Sequence, residues 1–246
     1  MYKALKERWL RLRSLFEPAP LVVADLSHPQ AERRWRAARA LAGRPQLRYR
    51  AGLLALLDDP DPIVRDEAAA TLASWGPASG LEPALDLLRR DPPAPRAAAL
   101  LDLLARLPAS AESRALLPDP AEPIGPFLSH ADPLVRAAAC RALAATGRGE
   151  DAQRLSSLTT DPDPRVRRAA CVALGRLGNP DAIPLLQERL HDADPPTRDL
   201  ASKALSRLEA LAAAREKEEP EKRGNGESGS QGNGETESPS ESPHLP

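Results

Sequence analysis

The stretch Asp161–Gly178, DPDPRVRRAACVALGRLG, admits two readings. Its Asp-Pro pairs and clustered arginines could form a site, with carboxylates for a metal or cations for an anion. They could equally be one copy of a structural unit. The spacing of the same residues elsewhere in the chain decides between them. With Arg167 as anchor, an alanine follows three residues later (Ala170) and a leucine seven later (Leu174). The same triplet recurs at Arg198 with Leu205, Arg136 with Leu143, Arg96 with Leu103, Arg65 with Leu72 and Arg34 with Leu41. Successive anchors lie 31 residues apart, except for 40 between Arg96 and Arg136. Self-similarity at a fixed period in this range is the signature of stacked repeats.

Each copy follows one local grammar. Asp61, Asp132, Asp163 and Asp194 stand four residues before their anchor arginine, and each is followed by proline. A carboxylate at the N-cap satisfies free N–H groups, and proline at the first helical position has no N–H to satisfy. Val166, Ala169, Ala170, Ala173, Leu174 and Leu177 then fall at helical spacing. Gly76, Gly147 and Gly178 are expected to close three of these helices. A second amphipathic segment precedes several copies: QLRYRAGLLALL, GLEPALDLLRR, EDAQRLSSL and DAIPLLQERL. The expected fold is all-α, a right-handed α-solenoid of about six stacked helical hairpins.

Composition agrees. Apolar residues make up 41% of the 246-residue chain, but aromatics only 3%, so the core must be built from Ala, Leu and Val. The 27 prolines fit many helix starts. Net charge is −1, which supplies no global field for nucleic acid. No apolar run is long enough for a membrane span, and the charged start is unlike a secretory signal. A cytoplasmic location, peripheral to the inner membrane if the N-terminus binds lipid, is the expectation.

The phrases DPDPRVRRAACVALGRLG and NPDAIPLLQERLHDADPPTRDLASKALSRL resemble the short bacterial HEAT-like repeat, the type also found in phycobilin-lyase subunits. The resemblance covers residues 18–213. It implies a stacking ladder in which anchors Arg34, Arg65, Arg96, Arg136, Arg167 and Arg198 pair with acids six residues before an anchor, at Asp59, Asp161 and Asp192. It also implies that the second helix of each pair lines a concave face. Residues one, five and nine after the anchors then point outward there. On that basis Trp35, Arg39, Leu101, Arg141, Arg168, Arg176, Lys203 and Arg207 are the candidate partner-binding residues, joined by Leu104 of the third copy. Leu100, Leu101 and Leu104 would form an apolar middle, unless they pack under the adjacent insert. A protein or peptide partner follows for a monomeric, non-enzymatic scaffold. The alternatives are a nucleic-acid binder using the arginine rows and a subunit of a phycobilin-lyase-like complex.

Three segments depart from the repeat. Residues 1–17 place Tyr2, Leu5, Trp9, Leu12 and Phe16 on one face and bases on the rest, as in an end cap or a membrane-surface helix. A proline-rich insert over 108–126 follows the third copy, and is expected to be a loop or a broken helix. The region 214–246 is an acidic tail of net −4 from Arg215 onward, too poor in apolar residues to order itself.

No catalytic residue, cofactor or metal ligand is expected. His28, His130 and His191 fall in the turn between paired helices, where Asp59 and Asp161 stand in other copies, so turn capping is the better reading. Cys140 and Cys171 occupy equivalent positions on neighbouring helices. Stacked axes ~8–10 Å apart hold such positions beyond disulfide reach.

Overall fold

The computed structural model describes residues 25–107 and 121–224. Residues 1–24, most of the insert and the residues beyond 224 lie outside the described residues. So do the capping and membrane readings of residues 1–17.

The described chain is helical throughout. Its second helices are α1 (Ala31–Ala40), α3 (Pro62–Ser74), α5 (Ala94–Arg106), α7 (Pro133–Thr146), α8 (Pro164–Leu177) and α10 (Pro195–Gly224). Between them run the first helices α2 (Leu47–Ala55), α4 (Pro77–Leu88), α6 (Ala121–Ile124) and α9 (Ile183–Arg189). A 3₁₀ helix over Gly149–Thr160 takes the first-helix place in the fifth repeat. The second helices stack in order, α1 on α3, α3 on α5, and so on to α8 on α10. The chain is thus an α-solenoid.

Local chemistry explains the starts. Asp61, Asp132 and Asp163 each accept a hydrogen bond at 2.8 Å from the N–H two residues on. Asp194 caps α10 through the Thr197 N–H and hydroxyl. The ends are less uniform. Gly178 takes the left-handed helical conformation, with φ 72°, while Gly76 has a positive φ of 85° but an extended ψ of 174°. Gly147 is extended, and there a Cβ would lie 2.5 Å from the Leu143 carbonyl oxygen.

The core is Ala and Leu, with close helix contacts. A Cβ on Gly175 of α8 would meet the Ala204 Cβ of α10 at 2.8 Å. Polar bonds fix the register of the first two repeats. The Trp75 indole donates to the Leu41 carbonyl at 2.8 Å, and the Thr71 hydroxyl to the Ala38 carbonyl at 3.0 Å.

One boundary differs from the sequence reading. Helix α10 runs to Gly224 rather than ending near 213. Its extension carries Glu, Lys and Arg at most positions, all good helix formers, with Pro220 the exception before the closing Gly224. The described part of the insert, 121–126, is a broken helix, one of the two expected forms: α6 passes into a 3₁₀ turn at Gly125–Ser129. The two bury Ile124 and Phe127 as the first-helix element of the fourth repeat.

Candidate functional site

The Asp–Arg series of the turns forms inter-repeat rungs. Arg34 donates through Nε and Nη2 to both oxygens of Asp59, at 2.6 and 2.8 Å. Arg136 does the same to Asp161, and Arg167 to Asp192, at 2.8–2.9 Å. The Nη1 of each arginine donates to carbonyls of its own turn, for example Arg167 to Asp161 at 2.9 Å. Each acid also accepts from the N–H two residues on, as Asp161 does from Asp163. Burial pushes the Asp59 and Asp161 carboxyls upward, but the arginine forks and the backbone N–H outweigh it and hold both below the ordinary carboxylate range. At Asp192 the hydrogen bonds from Arg167 dominate, with the same result. The paired guanidiniums are raised by the same bonds. These are bidentate, largely buried pairs that set one repeat against the next.

The candidate partner-binding residues separate into three groups. Leu101 and Leu104, with Leu100, are fully buried. The apolar middle expected from them is therefore not on the surface. Helix α5 packs broadly against α7, and these leucines belong to the shared core. Trp35, Arg39, Arg141 and Arg168 are on the surface but already engaged. Glu67 accepts from the Trp35 indole at 3.0 Å and from Arg39 at 3.3 Å. Arg141 donates to Asp102 at 2.6 Å, and Arg168 lies 3.4 Å from Asp194. Arg106 pairs with Asp66 in the same series. Arg176, Lys203 and Arg207 are exposed, and none of them has an ion pair among the described residues. Sequence reasoning missed Asp66, Glu67, Asp102 and Arg106. Their signal lies in opposite charges on successive second helices, but the pairing offsets differ from copy to copy.

With this geometry in view, known proteins give the comparison. The family model for HEAT repeats matches residues 19–105 and 121–206. The chain belongs to the HEAT-repeat family. Solved structures agree on fold. An engineered protein is 24% identical, with a TM-score of 0.52, covering 77% of this chain and 97% of its own. A designed armadillo repeat protein is 21% identical, at TM-score 0.51, covering 77% and 99%. Another, in complex with the peptide (KR)4, is 20% identical, at TM-score 0.50, covering 78% and 100%. No curated protein matches the chain.

The HEAT ladder is interrupted in the middle. The position that would face Arg65 is held by Arg90, and the one that would face Arg96 by His130. Arg65 keeps only its own-turn bonds, to the Asp59 and Pro60 carbonyls. The Arg96 Nε is buried without a hydrogen-bond partner, while its Nη1 lies 3.7 Å from Asp58. Arg198, in the last HEAT repeat, bonds only the carbonyls of Asp192 and Ala193. His28 and His130 cap their turns, with Nδ1 accepting from the N–H two residues on at 3.1 and 3.0 Å. His191 is exposed, and Asp192 takes that capping bond instead. Burial pushes the free thiols of Cys140 and Cys171 up to about 12 and about 11. Both are therefore protonated and poorly nucleophilic at neutral pH. No cluster of three metal-ligating side chains occurs among the described residues, and no described helix is long and apolar enough to cross a membrane.

Proposed function

We propose that this HEAT-repeat chain is a non-enzymatic interaction scaffold that binds an extended segment of a partner protein along the concave face of its second helices. The observation that carries the reading is the uneven chemistry of that face. At one end is an apolar pocket of about 320 Å³, lined by Ala31, Glu32, Trp35, Asp61, Ile63 and Val64. Ile63 is 65% exposed there, a large aliphatic side chain open to solvent over most of its surface. At the other end stand the exposed cations Arg176, Lys203 and Arg207, without an ion pair among the described residues. An apolar anchor with polar contacts around it is how interfaces divide affinity and orientation. The likeness to designed repeat proteins, one of which holds a peptide, supports a peptide-sized ligand. Most arginines of the face are neutralised by carboxylates, which disfavours nucleic acid.

A random 12-residue peptide display selection against the full chain tests this. Enriched peptides should bind the natural chain. They should lose at least tenfold in affinity with Ile63→Asp or Arg176→Glu, and keep it with Gln153→Glu on the outer helices. Absence of enriched peptides, or binders indifferent to both changes on the second-helix face, would show the reading to be wrong.

A further inference from the structure

The second-helix face has two electrostatic halves. In the first, Arg39, Arg106 and Arg141 are each met by a carboxylate from a neighbouring repeat, Glu67, Asp66 and Asp102. The pairing then stops short of its last positions. Arg168, near the start of α8, still reaches Asp194. Beyond it, Arg176, Lys203 and Arg207 are exposed, with no carboxylate in ion-pair contact among the described residues. Asp199 stands one helical turn before Lys203 and Glu209 two residues after Arg207, but neither forms an ion pair with the three.

These cations share one side of one helix crossing. Gly175 of α8 lies against Ala204 of α10 closely enough to exclude a Cβ. The two helices run in the same direction, since Arg168 and Asp194 meet at their N-terminal ends. At ~100° per residue, the residue after Gly175 and those one before and three after Ala204 project to the same side of the crossing. Those residues are Arg176, Lys203 and Arg207. Val172 lies on that side too, half-buried between Arg168 and Arg176.

Clustered like charge without compensation raises the local potential and attracts the opposite sign. Arginine forks take carboxylates in bidentate fashion, as Arg136 and Arg167 do in this molecule. Lys203 and Arg207 are one turn apart, about 6 Å along the helix. Alternate side chains of an extended strand are spaced about 6.6–6.8 Å, so acids at every second position match the row. The described tryptophans, Trp35 and Trp75, lie in the first two repeats, leaving this half without the stacking platform that single-stranded nucleic acid uses. We infer that Arg176, Lys203 and Arg207 capture an acidic, extended segment of a partner protein, with carboxylates at alternate positions. This rests on the interaction-scaffold reading above and names its ligand class.

The test is fluorescence anisotropy with the full chain and a labelled (Glu-Ser)4 peptide, run beside (Lys-Ser)4 and an eight-residue oligothymidylate. The acidic peptide should bind best, and should weaken as salt rises. The triple variant Arg176→Glu, Lys203→Glu, Arg207→Glu should bind it at least tenfold more weakly with an unchanged melting temperature. Arg39→Glu should change affinity less than threefold. Equal binding by the triple variant, or tighter binding of the oligonucleotide, overturns the inference. So does binding that appears only when Glu227, Glu235, Glu237 and Glu241 are changed to Gln, because the chain's own tail would then be the occupant. If display selection yields binders that are not acidic and ignore the triple change, this inference falls and the scaffold reading stands. If selection yields no binder at all, the scaffold reading falls as well.

Discussion

Leu101→Asp should cost at least ~5 kcal/mol and prevent recovery of a cooperatively folded chain. Leu101 is fully buried in the core between α5 and α7. Truncating a buried leucine to alanine costs roughly 2–5 kcal/mol through lost burial and a residual cavity. Asp adds a carboxylate with no partner in an apolar surround, which is among the few single changes with effects this large. Leu101→Ala should cost about 3 kcal/mol and remain folded. Arg176→Glu, at an exposed and unpaired position, should stay within ~0.5 kcal/mol of the natural chain. Urea denaturation of the three variants checks the order. A Leu101→Asp protein as stable as the parent would mean that α5 presents this residue to solvent after all.

Asp161→Ala should lower stability by about 3 kcal/mol, the low end for breaking a buried pair, because the Arg136 side chain keeps 14% of its exposure. The change removes both acceptors of the Arg136 fork and the cap on the Asp163 N–H. For a chain of this size that corresponds to a fall in Tm of roughly 6–12 °C. Arg198→Ala should cost less, since Arg198 bonds only two carbonyls and no carboxylate. The pairs also set the acid limit. Asp59, Asp161 and Asp192 all titrate lower in the folded chain than their ordinary value of 3.8. Their contribution is fully present above that value and disappears as pH falls through the folded values. Tm should therefore drop as pH falls below about 4. Asp161→Ala should show a shallower drop, having one such carboxylate fewer. Parallel pH profiles for the two proteins would remove the rung at Arg136 from the account of stability.

What the sequence made legible follows from how local each interaction is. The Asp-Pro caps need only neighbouring residues, and they stand where the pattern places them. The three intact rungs each join an arginine to an aspartate 25 residues on, a constant offset that a 31-residue period carries through the chain. In the third copy the positions one, five and nine residues after the anchor, Ala97, Leu101 and Ala105, do not mark the exposed side. Its turn contains Asp91 at φ 50°, and α5 starts after Pro93 rather than an Asp cap. The side chains it shows to solvent are then Asp102 and Arg106 rather than Leu101, a shift of one residue, or about 100° on a helix. The carboxylates that neutralise Arg39, Arg106 and Arg141 depend on how neighbouring helices are turned and offset. The repeat period does not encode that. Consequently the unpaired state of Arg176, Lys203 and Arg207 emerges only from the assembled face.

The stretch Asp161–Gly178 thus divides its residues between two roles. Asp161, Asp163 and Arg167 serve the turn, the cap and a rung, while Arg176 belongs to the exposed face. The most direct test of that division is site-specific crosslinking. A photo-reactive benzoylphenylalanine at Val172, on the second-helix face, is compared with one at Gln153, exposed on the outer helices, each in the presence of a display-selected peptide. Crosslinking at 172 and none at 153 is the expected result. Crosslinking at 153 without crosslinking at 172 would contradict a concave-face scaffold.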